Sequence, residues 1–139
     1  GGIETYFLNF AKDEDSMRLA AAENATTTKN MSDLQAILND LMLNSKINES
    51  SKLARYVQGS ILDVVNGSGS RARDRGVRQA PFYVLIGAQM PSILIETSFI
   101  TNKEDARRLA DQVFQKTIST AIAGGIEKYS EVVKVASSQ

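Results

Sequence analysis

Apolar and polar positions alternate between two periods along this chain, and the switches between them mark its elements. Ile3 to Asn9 (IETYFLN) packs β-branched and aromatic residues into strand length and predicts a β-strand. Asp13 to Ala25 reads as a short alanine-rich helix with acidic residues in its first turn, where they suit the helix dipole. A polar break, TTTKN, follows. From Ser32, Leu34, Ile37, Leu38, Leu41 and Met42 recur at three and four residues behind a Ser32/Gln35 capping box, which predicts a helix. Leu53, Tyr56, Val57, Ser60, Ile61, Val64 and Val65 carry another from about Asn48 to Val65, stopped by Asn66-Gly67.

The segment GSGSRARDRGVRQ, Gly67 to Gln79, is rich in glycine, serine and arginine and reads as a mobile surface loop. Phe82 to Ala88 and Ser92 to Thr101 are apolar runs of strand length, both expected to be central strands covered on two faces. Thr101 and Glu104 form a capping box for one long amphipathic helix running to Glu131, after which residues 132–139 are expected to fray. Helices alternating with buried strands predict an α/β domain with a mainly parallel or mixed sheet flanked by helices. Three strands make a narrow sheet, and two central ones need neighbours, so part of the sheet is expected from chain outside these residues. Gly1-Gly2 is neither an initiator methionine nor a signal peptide, and suggests a processed or cut chain.

Composition narrows the chemistry. With 139 residues, 42% of them hydrophobic, the chain can bury one core. Sixteen basic and sixteen acidic side chains cancel, so no overall field draws it to nucleic acid or an anionic membrane, and no apolar run is long enough for a membrane span. The chain has no cysteine and no histidine, which excludes disulfides, a self-contained zinc site and a Ser-His triad.

One residue stands against its surroundings. Glu96 sits in the middle of PSILIETSFITN, Pro91 to Asn102, sharing a strand face with Ser92, Leu94 and Ser98 while Ile93, Ile95, Thr97 and Phe99 point the other way. An unpartnered buried carboxylate is costly. Spacing alone leaves two readings, an acid paired to an arginine or reaching solvent at the sheet rim, and a catalytic carboxyl beyond the carboxyl end of a strand. The loop carrying Arg71, Arg73, Arg75 and Arg78 is either solvated or captures an anion. Glu23-Asn24 either caps its helix or lines a site. The Leu34 to Met42 stripe packs in the core or meets a partner, and Gly124-Gly125 permits a close helix crossing or thins the helix locally.

Six blocks together carry a resemblance: GIETYFLN (Gly2 to Asn9), LAAAEN (Leu19 to Asn24), ESSKLARYVQ (Glu49 to Gln58), RGVRQAPFYVL (Arg75 to Leu85), MPSILIETSFITN (Met90 to Asn102) and IAGGIEKY (Ile122 to Tyr129). In this order they resemble the carboxyl-terminal portion of the zinc-dependent N-acetylmuramoyl-L-alanine amidases of the amidase-3 family, hydrolases of the cell wall. The resemblance implies an incomplete amidase domain over residues 1–131, lacking its amino-terminal strands. It implies a zinc ion whose ligands lie in the missing upstream segment, with none in this chain, and Glu96 as general acid/base. Peptidoglycan is the implied substrate, cut between N-acetylmuramic acid and L-alanine, with substrate-binding residues unassigned. An activator protein and a periplasmic or extracellular site of action, linked to cell division, follow from the same likeness. This chain alone is expected to be inactive. In some relatives a helix covers the zinc groove; Asn30 to Asn48 lies in that interval, with Asp33 or Asp40 as its metal-capping carboxylate. The alternative is a noncatalytic envelope module that binds peptidoglycan or a protein partner.

Overall fold

The computed structural model describes residues 1–33, 39, 46–68 and 72–138. Strand β1, Ile3–Leu8, is buried along its whole length. It lies at the centre of a three-stranded sheet of order β2-β1-β3, parallel to β2 (Asp74–Ala80) and antiparallel to β3 (Leu94–Glu96). The sheet is mixed, as expected, but β1 rather than the two later apolar runs is the central strand.

Alternation along β1 sends side chains to two separate cores. Tyr6 and Leu8 pack with Ala20, Ala21, Met31, Ala80, Phe82 and Leu85, beneath helices α1 (Glu14–Glu23) and α2 (Thr28–Asp33). Ile3 packs on the other face with Leu53, Val57, Ile61 and Val65 of α3 (Ile47–Gly67) and with Phe114, Ile118 and Ala121 of α5 (Gln112–Ser137). Helices therefore flank both faces. Asp13 caps α1 by accepting hydrogen bonds from the Ser16 backbone N–H and hydroxyl, both at 2.9 Å.

Several expectations are corrected. The TTTKN break holds the start of α2 at Thr28. The expected loop ends in β2 from Asp74 to Ala80, since its arginines and glutamine find partners across the sheet: Arg75 and Arg78 reach Glu4, and Gln79 donates to the Phe10 carbonyl at 2.7 Å. The apolar run Phe82 to Ala88 is no strand. It folds as a 3₁₀ turn, Tyr83–Leu85, that covers the sheet, with Phe82 edge-on to Tyr6 at a centroid distance of 5.0 Å. Asn24 holds this turn, donating to the Pro81 carbonyl at 2.9 Å and accepting from the Tyr83 N–H at 2.8 Å.

The second apolar run pairs only over Leu94–Glu96. The single long helix is two: α4, Lys103–Ala110, ends where Asp111 takes extended backbone geometry and caps α5 by accepting from the Val113 N–H. Asn102, not Thr101, caps α4, its side chain accepting from Glu104 and Asp105. Helix α5 continues to Ser137, past the expected fraying point at Glu131. The apolar stripe Leu34 to Met42, Asp40 and Arg71 lie outside the described residues; Asp33 is exposed.

Candidate active site

Strand β3 brings Glu96 to the sheet. Its backbone pairs with Glu4, while Leu94 stands opposite Tyr6 in the same ladder. Directly opposed residues project to one face, so Glu96 leaves the sheet on the Tyr6–Leu94 side. The neighbours Ile93 and Ile95 pack into the opposite core. The alternation read from the sequence thus holds through this part of the strand.

The Glu96 side chain is half-buried, and among the described residues it has no hydrogen bond and no ion pair. The arginine-paired reading of this acid is therefore not what the structure contains. Burial raises its pKa, and the charges of Glu23 and Glu4 raise it further. Glu23, at the exposed end of α1, contributes this charge while its neighbour Asn24 caps the helix and pins residues 81–83.

Glu4 has the opposite surroundings. Only 1% exposed, its Oε2 accepts from Arg75 Nε at 2.9 Å and Arg78 Nη1 at 3.2 Å, and Arg78 also pairs with Asp13. Nothing in the spacing of the sequence marked Glu4. Its signal would have been a charged residue in a six-residue strand buried on both faces, set against two arginines in register in the next strand. Of the arginines in the anion-capturing reading, Arg75 and Arg78 are engaged within the fold, while Arg73 is exposed. Tyr6 beside Glu4 is fully buried, and burial, with the Glu4 charge, pushes its hydroxyl up to about 12. That hydroxyl makes no well-formed hydrogen bond among the described residues.

A separate cavity of about 590 Å³ opens near the carboxyl ends of β1 and β2, lined by Asn9, Lys12, Asp13, Arg55, Arg78 and Gln79 among others; Glu96 is not part of its wall. Among the described residues no group of three Asp, Glu, His or Cys side chains could hold a metal, and the chain has no histidine or cysteine. The zinc implied by the resemblance does not fit the donors present.

The class to which this fold belongs follows from comparison with known proteins. Residues 1–128 match the model of the amidase-3 family, N-acetylmuramoyl-L-alanine amidase. The chain belongs to that family. Among its relatives is the N-acetylmuramoyl-L-alanine amidase AmiA of Salmonella typhimurium, 38% identical over 96 residues, covering 69% of this chain and 32% of AmiA.

In structure, the chain is similar to the N-acetylmuramoyl-L-alanine amidase from Clostridium difficile 630, with a TM-score of 0.61 and 25% identity over 94% of this chain and 48% of that one. It shares the fold of the CwlD amidase from Clostridioides difficile, solved in complex with the GerS lipoprotein (TM-score 0.55, 23% identity, 94% of this chain and 47% of that one). The match spans between 15% and 36% of the length of these curated relatives.

Proposed function

We propose that the protein containing this chain is a peptidoglycan hydrolase that cleaves the amide between the lactyl group of N-acetylmuramic acid and the L-alanine of the stem peptide, with Glu96 carrying the proton. The observation behind this is a half-buried carboxyl without an ion-pair partner among the described residues, at the end of β3, in a chain of the amidase family. Family membership supports the bond cleaved; the environment of Glu96 supports its role.

Amide hydrolysis needs a base early and an acid late. The Glu96 carboxylate takes a proton from the attacking water as oxygen bonds to the carbonyl carbon. It then gives that proton to the alanine nitrogen as the C–N bond breaks, and the water's second proton passes from the new lactyl carboxylic acid to the amine, leaving a carboxylate and an ammonium. Water is consumed, and Glu96 ends ionised as it began. A raised pKa suits this exchange, because a carboxylate with more than the ordinary proton affinity is the stronger base toward the attacking water. Zinc would have to be held by donors outside the described residues, and the proton steps use only Glu96. The substrate implies action in the cell envelope, periplasmic or extracellular, and a protein activator is a partner in this reading.

The test is product analysis. Purified sacculi treated with the full-length protein carrying these residues should release stem peptides with a free amino-terminal L-alanine, identified by mass spectrometry. Sacculi that are bound but uncut would instead favour a noncatalytic envelope module.

A further inference from the structure

Glu4 and Glu96 face each other across the β1–β3 pair, and like charges directly opposed in a ladder repel. The fold retains both by fixing one of them. Arg75 reaches from β2 to Glu4 on β1, and its guanidinium lies over the Phe99 ring, 5.1 Å from the centroid. Phe99 is three residues beyond Glu96, and its backbone N–H is held by Asp105 Oδ2 at 3.0 Å. The same carboxylate oxygen accepts from the Gly2 N–H at 3.0 Å, ahead of Glu4. At Gly2, where φ is +127°, an added Cβ would come within 3.1 Å of Arg75 Cγ and Cδ and 2.6 Å of the Arg73 carbonyl. The bare glycine makes room for the arginine stem. Arg75 thus forms a strap that runs from β2 to Glu4 on β1 and on to Phe99, three residues past the end of β3.

We infer that Glu4 and Arg75 are positioning residues for Glu96: their strap fixes the backbone around it and sets a guanidinium-bound carboxylate directly beside the working carboxyl. This rests on Glu96 as the proton carrier. The charged and titratable groups around Glu96 are Glu4 from β1 and Glu23 from α1, with Arg75, Arg78 and the Tyr6 hydroxyl behind Glu4. Removing the Glu4 charge takes away a repelling neighbour and frees a guanidinium, so Glu96 ionises more easily. Removing Arg75 leaves Glu4 less compensated, so Glu96 ionises less easily. A merely structural lesion would not move the two in opposite directions.

The experiment compares Glu4→Gln, Arg75→Ala and Arg75→Lys with the parent in the full-length protein, reading kcat and KM against pH. In all three, kcat should fall by about 10²-fold with KM within about twofold, as expected when a reacting group is displaced. The acidic limb of kcat/KM should move to lower pH in Glu4→Gln and to higher pH in Arg75→Ala. In Arg75→Lys, which keeps the charge but loses the stacking and the planar fork, the limb should stay near its parent position; this variant also covers a failure of Arg75→Ala to fold. Limbs that stay put in both charge-removing variants, or shift the same way, overturn the inference. Titrating the ¹³Cδ resonance of Glu96 in the same variants reads the opposed shifts without turnover. The strap is therefore judged even if a parallel Glu96→Gln control stays active, an outcome that would sink the catalytic reading instead.

Discussion

At the scale of the residue, Glu96 trades stability for proton affinity. Its folded pKa is raised by burial and by Glu23 and Glu4, so the native state binds this proton more tightly than the unfolded chain does. Linkage then fixes the sign: between the ordinary carboxyl pKa of 4.5 and the raised folded value, stability falls as pH rises, and above that window the destabilisation persists. Glu96→Gln should therefore melt at a higher temperature than the parent at neutral pH, with the difference closing below about pH 4.5. Melting curves across pH check this; equal melting temperatures at neutral pH would contradict it. Asp13 has the opposite sign, because the hydrogen bonds from Ser16 and the Arg78 charge outweigh its burial and hold it below the usual range. Glu96 was legible in the sequence because one acid interrupts a run of isoleucine and leucine. Glu4 was not, since its partners lie 71 and 74 residues away.

At the scale of the element, helix packing depends on one of two adjacent glycines. A Cβ on Gly125 of α5 would lie 2.7 Å from Val57 Cα and 3.0 Å from the Tyr56 carbonyl of α3, whereas one on Gly124 would meet only the Ser60 hydroxyl at 3.6 Å. Backbone cannot yield as a side chain can. Gly125→Ala should cost about 1–3 kcal/mol by forcing the helices apart, and Gly124→Ala should gain about 0.5–1 kcal/mol from helix entropy alone. Denaturant unfolding of the two variants separates them. The sequence reading of a close crossing at Gly124-Gly125 is met at Gly125. Long periodic helices were readable in this way because packing and period agree. Strand β2 was hidden because its polar side chains are satisfied by tertiary partners that composition does not reveal, and Phe82–Ala88 misled because a run that covers a sheet is as apolar as one within it. The split at Asp111 left the apolar period on both sides intact, so only the cap marks it.

At the scale of the whole molecule, the mixed sheet flanked by helices was legible in the alternation of helical and strand patterns, and the amidase family membership in the collinear motifs. The motifs between Arg75 and Asn102 supply Arg75, Glu96 and Phe99, and the Gly2 to Asn9 block supplies Glu4. The metal set was not foreseeable from these residues, because they contain no three-donor group among those described. The proposed role of Glu96 as the proton carrier in amide cleavage is tested most directly by turnover of a defined muropeptide by the full-length protein and its Glu96→Gln variant. Turnover should fall by about two to four orders of magnitude, as for loss of a general acid/base, with the fold intact by circular dichroism; turnover within a few-fold of the parent would contradict it.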